Sequence, residues 1–346
     1  MTVRGAEDRN EPSTTLRWGV AGTGGIANTV ARELELVPGA EIVAVGSRSQ
    51  EHAEAFANEH RVGRAHGSYE ALIADPEVDL LYIATPNSTH YVLALAAIRA
   101  GKAVVVEKAF TCTLASAVEV VTEARMRKSF AMEAMWTRFH PAVARARALI
   151  LDGAIGEVTS VQASLGLARD FDPLHRLFAA HLGGGALLDL GPYVASFADM
   201  LLGRPETVSA VGSLEPNGVD GSAVLLLGWP DGRSATLTTS LHSHMPASAR
   251  VFGTKGWLDF PPMFIHPSGF VLHRAQADPE QISLPPLGAG YVHELIEATE
   301  CAKAGLPEST IMPLDDTLAV MGVLEEAALQ LGITRYEDDR GPAVDP

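Results

Sequence analysis

The sequence predicts an α/β protein, in which an N-terminal, doubly wound parallel sheet precedes a second region with a mixed or mainly antiparallel sheet. Three observations support this fold class. The chain opens with an apolar run, a G-x-G-x-x-A cluster and a helical pattern. Short apolar runs and helical patterns then alternate, and beyond about Trp136 strand-like segments follow one another without helices. Parallel strands need crossover helices, whereas antiparallel strands do not.

The first region alternates strands and helices that are joined by short links. Predicted strands cover residues 16–21, 41–46, 80–84, 103–106 and 130–133. Predicted helices cover residues 28–37, 50–60, 69–74, 88–100 and 114–128. Glycine or proline ends several of these helical patterns. The first strand, helix and second strand lie within about 30 residues, as a βαβ unit requires.

The second region begins with one predicted helix at residues 141–152. Strand-like segments follow at 158–166, 207–213, 223–229, 234–240, 249–252 and 257–260, and helices at about 291–304 and 316–331 finish the chain. Consecutive strands of this kind form mixed or antiparallel sheets. We therefore predict three parts: a disordered tail (1–15), a Rossmann domain (16–136) and a second domain (137–346).

The composition excludes several classes of protein. The 346 residues carry 26 Lys and Arg against 42 Asp and Glu, a formal net charge of −16. Nucleic acids and anionic membranes are bound by basic surfaces, so neither is expected as a partner. No apolar run approaches the roughly 20 residues that span a bilayer, and the N-terminus lacks the apolar stretch of a signal peptide. The two cysteines, Cys112 and Cys301, form no disulfide framework, which fits a reducing cytoplasm.

The glycine cluster predicts a nucleotide site. Gly22, Gly24 and Ala27 occupy the fixed positions of the motif, with Gly25 and Ile26 between them. Glycines let the backbone approach a pyrophosphate, and the helix N-terminus offers free N–H groups and the positive end of its dipole. The alternative is a glycine-rich turn without function.

The end of the second predicted strand selects between the two nicotinamide cofactors. An acidic residue there would hold the ribose 2′-hydroxyl and repel a 2′-phosphate. This chain instead has Ser47 and Arg48. A hydroxyl and a guanidinium suit a 2′-phosphate, so we expect NADP in preference to NAD. In the alternative interpretation, Arg48 is a solvated loop residue.

Four further polar segments lie at places where a doubly wound sheet binds its ligands. These are Thr85-Pro86-Asn87-Ser88-Thr89-His90, Glu107-Lys108, Trp136-Thr137-Arg138, and Asp189-Leu190-Gly191-Pro192-Tyr193 after a triple glycine. Asp189 and Tyr193 are spaced i, i+4, so they share one face if this segment is helical.

In this order, the segments resemble those of the glucose-fructose oxidoreductase, inositol dehydrogenase and MocA (Gfo/Idh/MocA) family over nearly everything after residue 15. The stretches EKAFTCTLASAVEVVTEAR, MEAMWTRFHP and GGGALLDLGPY are most similar to the dimeric dihydrodiol dehydrogenases, which also act as NADP-dependent D-xylose dehydrogenases. The resemblance implies a C-terminal α/β domain with a large open sheet, which binds substrate and makes the contacts of a homodimer or tetramer.

The resemblance also implies the catalytic roles. Lys108 matches the lysine of the family's Glu-Lys-Pro motif, beside the nicotinamide, although a surface lysine is the alternative. Tyr193 is expected to be the general acid/base, with Lys108 stabilising its phenolate, because a phenol of pKa about 10 is a poor base at neutral pH. Asp189 is expected to position substrate hydroxyls, and Glu107 to orient the site. A buried structural tyrosine with a capping aspartate is the alternative.

Further residues are expected around the cofactor and the substrate. Trp136 matches a pocket-lining tryptophan of the dihydrodiol dehydrogenases, where an indole can stack on a sugar or a cyclic diol, and core packing is the alternative. Arg138 and Arg176 are expected to contact cofactor or substrate oxygens, unless they form solvated ion pairs. The residues expected on the nicotinamide side are Thr85, Pro86, Asn87, His90, Glu107 and Lys108.

Two positions depart from the family pattern. Ala109 replaces the proline of Glu-Lys-Pro, which usually follows a cis peptide bond. Because a cis bond before another residue costs about 2.5–4 kcal/mol, we expect a trans bond here, with a strained loop as the alternative. Leu165 stands where the dihydrodiol dehydrogenases have an aromatic wall, which favours a sugar over an aromatic diol. No histidine pair comes with an obvious third ligand, so we predict no metal site.

These observations together predict an NADP-dependent oxidoreductase. It would move a hydride between a hydroxyl-bearing carbon of a sugar or cyclic polyol and C4 of the nicotinamide. An aldose would be oxidised at C1 to a lactone. One alternative is a glycosidase that retains its nicotinamide cofactor for transient oxidation and elimination. The other is a non-catalytic NADP-binding regulator, against which Lys108, Asp189 and Tyr193 argue.

Overall fold

The first sheet of the computed structural model, which describes residues 15–338, consists of parallel strands. These are β1 (Leu16–Ala21), β2 (Ala40–Gly46), β3 (Arg64–His66), β4 (Leu80–Ile83), β5 (Ala103–Glu107) and β6 (Ala131–Ala134). Their spatial order is β3-β2-β1-β4-β5-β6, which reverses between β1 and β4 as in a Rossmann sheet. The helices of this region are α1 (Gly25–Leu34), α2 (Gln50–His60), α3 (Tyr69–Ala74), α4 (His90–Arg99) and α5 (Leu114–Arg127).

The second sheet is mainly antiparallel, with β7 and β10 as its parallel pair. Its strands are β7 (Val158–Gly166), β8 (Thr207–Leu214), β9 (Asp220–Gly228), β10 (Ser234–Ser240), β11 (Ala249–Gly253), β12 (Gly256–Phe260), β13 (Gly269–Arg274) and β14 (Glu280–Ser283). The order is β14-β13-β12-β11-β7-β10-β9-β8. The remaining helices are α6 (Pro141–Leu151), α7 (Ala186–Asp189), α8 (Gly191–Leu202), α9 (Val292–Lys303) and α10 (Leu314–Leu331). The predicted fold class is confirmed.

Several element boundaries differ from the prediction. The first helix begins at Gly25, inside the glycine motif, and ends at Leu34. The strands β3, β13 and β14 were not predicted, because each is short and none carries a long apolar run. The predicted tail, residues 1–15, lies outside the described residues except for Thr15.

One large hydrophobic core connects the two sheets. It includes Trp18 and Tyr82 from the first sheet and Phe260 and Phe270 from the second, all of them buried. The last two helices cross back to the first sheet, where α9 contacts α1 and β1 and α10 contacts α5 and β6. The end of the chain therefore covers part of the Rossmann region.

Among residues 15–338, no single helix has the length and apolar composition needed to cross a bilayer. One bent pair, Ala180–Asp189 with Gly191–Leu202, meets the requirement by length and composition only.

Candidate active site

The loop between β1 and α1 leaves open space beside two of its glycines. Gly22 has a φ of +109°, and a Cβ atom there would lie 2.6 Å from the carbonyl oxygen of Ala84 at the end of β4. A Cβ atom on Gly24 or Gly25 would meet nothing within 4 Å. Gly24 caps α1 without a side-chain hydrogen bond, so the first amides of the helix remain available to an anion. This loop fits the pyrophosphate of a dinucleotide.

The start of α1 holds the loop in place. Ile26 is 40% exposed at the mouth of the loop, whereas Ala27 is fully buried in the core between α1 and its sheet. The Asn28 amide donates to two carbonyl oxygens of the loop, at 2.9 and 3.1 Å. His60 Nε2 lies 2.7 Å from Asn28 Oδ1. The sequence pattern did not indicate Asn28 and His60, of which Asn28 donates to the loop and His60 contacts Asn28.

The segment after β2 presents a hydroxyl and a guanidinium. Ser47 is buried, and Arg48 is exposed. Ser49 accepts a hydrogen bond from the His52 amide at 3.3 Å and thereby caps α2. Arg48 lies near enough to Tyr69 for its charge to oppose the burial that raises the pKa of that phenol.

Lys108, Asp189 and Tyr193 lie together where the two sheets meet. Lys108 Nζ donates to the Asp189 carbonyl oxygen at 2.7 Å and to Asp189 Oδ1 at 3.4 Å. The same ammonium lies 4.9 Å from the centroid of the Tyr193 ring. Asp189 ends α7 and Tyr193 lies in α8, so the chain bends between them instead of forming one continuous helix.

Burial and neighbouring charges shift the pKa values of this cluster in opposite directions. Burial raises the pKa of Tyr193 well above its ordinary value, and the charges of Glu107 and Asp189 raise it further. Burial also acts to raise the pKa of Asp189, but Lys108 and Arg176 outweigh it and lower that pKa. Burial and two carboxylates thus oppose the phenolate form of Tyr193, and the role of Lys108 in stabilising that phenolate stays a prediction. These directions favour the neutral phenol at Tyr193 and the carboxylate at Asp189.

Arg176 approaches the cluster from the surface. Its guanidinium NH1 group donates to Asp189 Oδ1 at 2.9 Å, while its side chain is 66% exposed. It comes from the loop between β7 and α7, in which Leu174 is 84% exposed. Arg176 can therefore reach either Asp189 or a bound molecule.

The segment after β4 divides into exposed and buried parts. Pro86 is exposed, Thr85 and Asn87 are half-buried, and Asn87 Nδ2 donates to the Gly183 carbonyl oxygen at 3.1 Å. His90 is fully buried, with Nδ1 2.8 Å from the Ala109 carbonyl oxygen and Nε2 2.9 Å from that of Thr85. The structure therefore contradicts a direct cofactor contact for His90, which instead joins the loops after β4 and β5.

An aromatic wall borders the cluster. Trp136 stacks on Tyr291 with a centroid distance of 4.4 Å and meets His140 and His266 at 5.2 and 5.4 Å. The Trp136 indole lies close enough to the Tyr193 hydroxyl to favour its phenolate form. The geometry between the two groups is not that of a complete hydrogen bond, so the indole N–H is left without a partner. Tyr291 was missed, because only the fold brings the start of α9 to this wall.

Arg138 does not reach the cluster. Its side chain is 2% exposed and forms an ion pair with Asp199 at 3.0 Å and another with Asp316. Its remaining donors bind Ser196 and the Ile311 carbonyl oxygen. The prediction of a cofactor or substrate contact is wrong for Arg138, since protein acceptors satisfy its guanidinium.

Two further predictions concern the covalent chain and metals. The peptide bond between Lys108 and Ala109 is cis, so the prediction of a trans bond is wrong. Over residues 15–338, no group of three or more His, Cys, Asp or Glu side chains is arranged to hold a metal ion. Leu165, at the expected position of an aromatic wall, is buried, with 6% of its surface exposed.

A glycine-rich loop at the reversal point of a Rossmann sheet, with lysine, aspartate and tyrosine beside it, defines a nicotinamide-dependent oxidoreductase. Residues 16–134 match the family described as oxidoreductase family, NAD-binding Rossmann fold, and residues 143–259 match the GFO/IDH/MocA C-terminal domain. The chain belongs to the GFO/IDH/MocA oxidoreductase family and is an NAD(P)-dependent dehydrogenase.

Relatives that share one name match over nearly the whole chain. A trans-1,2-dihydrobenzene-1,2-diol dehydrogenase of Mus musculus is 36% identical, covering 94% of this chain and 99% of its own. The protein of that name from Homo sapiens is 34% identical, with 94% and 99% covered. The family and subfamily resemblance seen in the sequence is thereby confirmed.

Solved structures share the two-sheet architecture. An aldose-aldose oxidoreductase of Caulobacter crescentus, complexed with glycerol, has a TM-score of 0.83 at 25% identity, covering 92% of this chain and 98% of its own. A 3-ketoreductase of Actinomadura kijaniata, in complex with NADP and TDP-benzene, has a TM-score of 0.81 at 26% identity, with 91% and 97% covered.

Proposed function

We propose that the protein is an NADP-dependent oxidoreductase that moves a hydride between a hydroxyl-bearing carbon of a sugar or cyclic polyol and C4 of the nicotinamide. The observation that carries this proposal is the convergence of Lys108, Asp189 and Tyr193 at the end of β5, two strand positions from the glycine loop that follows β1. An ammonium, a carboxylate and a phenol together can bind a hydroxyl or carbonyl oxygen, fix a neighbouring hydroxyl and exchange a proton.

Each residue has a separate part in this reaction. When bound, the nicotinamide supplies the hydride acceptor or donor. Lys108 would donate a hydrogen bond to the reacting oxygen, and Asp189 would accept one from an adjacent hydroxyl. Tyr193, as a neutral phenol, would donate a proton to the oxygen of a carbonyl substrate and recover it during oxidation. Because the pKa of Tyr193 is raised, we expect oxidation to accelerate towards alkaline pH.

Two features support a compact polyhydroxylated substrate. Trp136 is half-buried, and its indole offers a surface on which the apolar face of a ring can stack, with the buried Tyr291 packed against it. Asp189 and Arg176 provide an acceptor and a donor at the cluster's open side. Leu165 offers less stacking than an aromatic ring, which favours a sugar over an aromatic diol. The relatives named for dihydrodiol oxidation and the aldose-aldose oxidoreductase support both substrate classes.

NADP is the proposed cofactor, with NAD as the weaker alternative. Arg48 is exposed at the end of β2, and the segment 47–49 holds no acidic side chain that would repel a 2′-phosphate. The A. kijaniata ketoreductase was crystallised with NADP, which supports the same choice.

A homodimer or tetramer, built through the second sheet, is also proposed. One face of this sheet exposes large apolar side chains, including Val211 at 69%, Leu226 at 54% and Trp257 at 39%. Val211 and Leu226 lie on the paired strands β8 and β9 beside the exposed Val224, whereas Trp257 lies on β12, four strand positions from β9. Neighbouring exposed apolar side chains, such as those on β8 and β9, are typical of an interaction surface. Cys112 and Cys301 are unpaired, which supports the proposed cytoplasmic location.

Absorbance of reduced nicotinamide tests the proposed reaction. Purified protein would be mixed with NADP or NAD and a panel of aldoses, cyclitols and a trans-dihydrodiol, with Tyr193→Phe as the control. Turnover of a sugar or polyol, lost in the control, is expected. Cleavage of a glycoside without net reduction would favour the retained-cofactor glycosidase. Tight cofactor binding with neither reaction would favour the regulator.

A further inference from the structure

The hydroxyl group of Tyr82 lies between two buried carboxyl groups. Tyr82 is on β4 and has no exposed surface. Its oxygen lies 2.7 Å from Glu107 Oε1 and 3.4 Å from Glu294 Oε1. Glu107 ends β5 and precedes Lys108, whereas Glu294 lies in the first turn of α9. A single phenol therefore joins the catalytic strand end to a helix from the far end of the chain.

One phenolic proton cannot serve two carboxylates. Tyr82 donates its proton to Glu107, the nearer acceptor. If Glu294 were also a carboxylate, its oxygen would face the Tyr82 oxygen without a proton between them. A proton on Glu294 removes this conflict, because the carboxylic acid then donates to Tyr82 while Tyr82 donates to Glu107.

The surroundings of the two carboxyl groups decide where the proton lies. Glu107 Oε2 accepts a hydrogen bond from the Lys108 amide at 3.2 Å. Burial raises the pKa of Glu107, whereas the Lys108 ammonium and the hydrogen bonds from Tyr82 and the Lys108 amide oppose this shift and favour the charged form. Glu294 has no exposed surface, and its Oε2 has no partner. The titratable groups facing Glu294 are Tyr82 from β4, Glu107 from β5, Tyr193 from α8 and Tyr291 from α9 itself. No cation of residues 15–338 forms an ion pair with it.

Burial and the charge of Glu107 both raise the pKa of Glu294 well above its ordinary value. This direction agrees with the geometry. A buried carboxyl group that lacks a cation and has an unpartnered oxygen is less costly as the neutral acid.

We propose that Glu294 is a positioning residue for the redox site, held as a neutral carboxylic acid that donates to Tyr82 and thereby keeps Glu107 charged beside Lys108. The chain of hydrogen bonds runs from Glu294 through Tyr82 to Glu107 and the Lys108 amide. The ammonium group of the same lysine donates to the Asp189 carbonyl oxygen. This inference rests on the proposed function, in which Lys108 binds the reacting oxygen. Glu294 itself touches neither the substrate nor the cofactor.

Infrared spectroscopy tests the position of the proton without turnover. The carboxylic-acid carbonyl bands of wild-type protein and Glu294→Gln would be compared at about pH 9. Glu133→Gln is the matched control, since Glu133 is fully buried but its pKa is raised only to about 7, so it is ionised at that pH. We expect Glu294→Gln, and not the control, to remove one band. An unchanged spectrum in Glu294→Gln would overturn the proposal.

Kinetics test the positioning. Glu294→Gln keeps a neutral donor to Tyr82, so kcat should stay within about threefold of wild type. Glu294→Met interrupts the chain, so Glu107 should take up a proton more readily. We expect kcat to fall about tenfold and the acidic limb of kcat/KM to move about one pH unit upwards. Equal behaviour of the two variants would contradict the positioning role.

Two precautions keep the outcomes distinct. If Glu294→Met does not fold, Tyr82→Phe interrupts the same chain with the loss of one oxygen atom, and we expect the same shift of the acidic limb. If wild-type protein turns over nothing in the substrate panel, the proposed function fails. The infrared comparison still decides whether Glu294 carries the proton.

Discussion

The ammonium group of Lys108 donates to the backbone carbonyl oxygen of Asp189 across 2.7 Å, although 81 residues separate the two in the chain. A cis peptide bond follows Lys108, and Asp189 ends the four-residue helix α7. The contact therefore links the strand end of the first sheet to the helix pair that carries Tyr193. It makes the geometry of the proposed catalytic cluster depend on both sheets.

Replacement of this lysine should remove catalysis and spare the cofactor. We expect Lys108→Met to lower kcat by about 10²- to 10⁴-fold, the range for one positioned proton-transfer group. The glycine loop would be intact, so the dissociation constant for NADP should change by less than about threefold. Steady-state kinetics and a fluorescence titration measure both quantities. Retention of most of the wild-type kcat would contradict the role of Lys108.

Substitutions of two glycines in the loop between β1 and α1 should have separate effects on cofactor binding and on stability. A Cβ atom on Gly24 meets open space in the protein, and its φ of −78° suits alanine. Gly24→Ala should therefore preserve the free energy of unfolding but weaken NADP binding about 10- to 100-fold, because the methyl group occupies the proposed pyrophosphate site. Gly22→Ala should instead cost about 1–3 kcal/mol in the cofactor-free protein, since φ is positive there. Urea denaturation and cofactor titration of both variants check this contrast.

Arg48 should discriminate between the two cofactors. A charge-assisted contact to a 2′-phosphate contributes about 1.5–3 kcal/mol, so Arg48→Glu should weaken NADP binding about 10- to 150-fold and leave NAD binding nearly unchanged. Arg99→Glu, an exposed change at the end of α4, is the charge-matched control. Parallel titrations with NADP and NAD provide the measurement, and equal losses for both cofactors would refute the assignment.

Arg138 should govern stability and not substrate binding. Arg138→Met leaves Asp199 buried without its cation, which should lower the free energy of unfolding by about 3–5 kcal/mol. Arg138→Met combined with Asp199→Asn should recover part of this loss, because no unpaired charge remains. The KM of the folded variant should match wild type. Urea denaturation and kinetics check both expectations.

His140 should make the protein acid-sensitive. Burial, and then the neighbouring His266 and His293, lower the pKa of His140 to about 3 from an unfolded value of 6.5. Between these values only the unfolded chain binds the proton, so the free energy of unfolding should fall as pH drops below 6.5. From pH 6.5 to 5 the loss is about 2 kcal/mol at roughly 1.4 kcal/mol per unit. His140→Asn should flatten this decline in denaturation measured from pH 7 to 5, and an equally steep decline would count against His140.

The sequence pattern predicted the main part of the candidate site. Lys108 follows a buried strand, and Asp189 and Tyr193 follow a run of glycines, so local order along the chain suffices to find them. Arg138 is two residues from Trp136, but its side chain is satisfied by α8, a helix that no local pattern predicts as its partner. Lys108 and Arg138 both carry polar atoms near a strand end, and only the packing of the folded protein distinguishes their roles.

The remaining contributors come from elements that are remote in the chain. Tyr291 and Glu294 belong to α9, whose pattern predicts a helix but not the sheet it covers. His90 has the polarity of a ligand, yet both of its ring nitrogens face backbone carbonyl oxygens. Such placements depend on long-range packing, for which a single sequence has no periodic signal.

The return of α9 and α10 to the first sheet has a consequence for synthesis on the ribosome. When residue 136 has emerged, every strand of the Rossmann sheet has been made, but the helices that contact α1, β1, α5 and β6 have not. Glu33 on α1 is then without the Ala289 and Val292 amides, which donate to it in the finished protein. The surfaces of α5 and β6 that α10 contacts in the finished protein therefore stay uncovered until α10 leaves the exit tunnel.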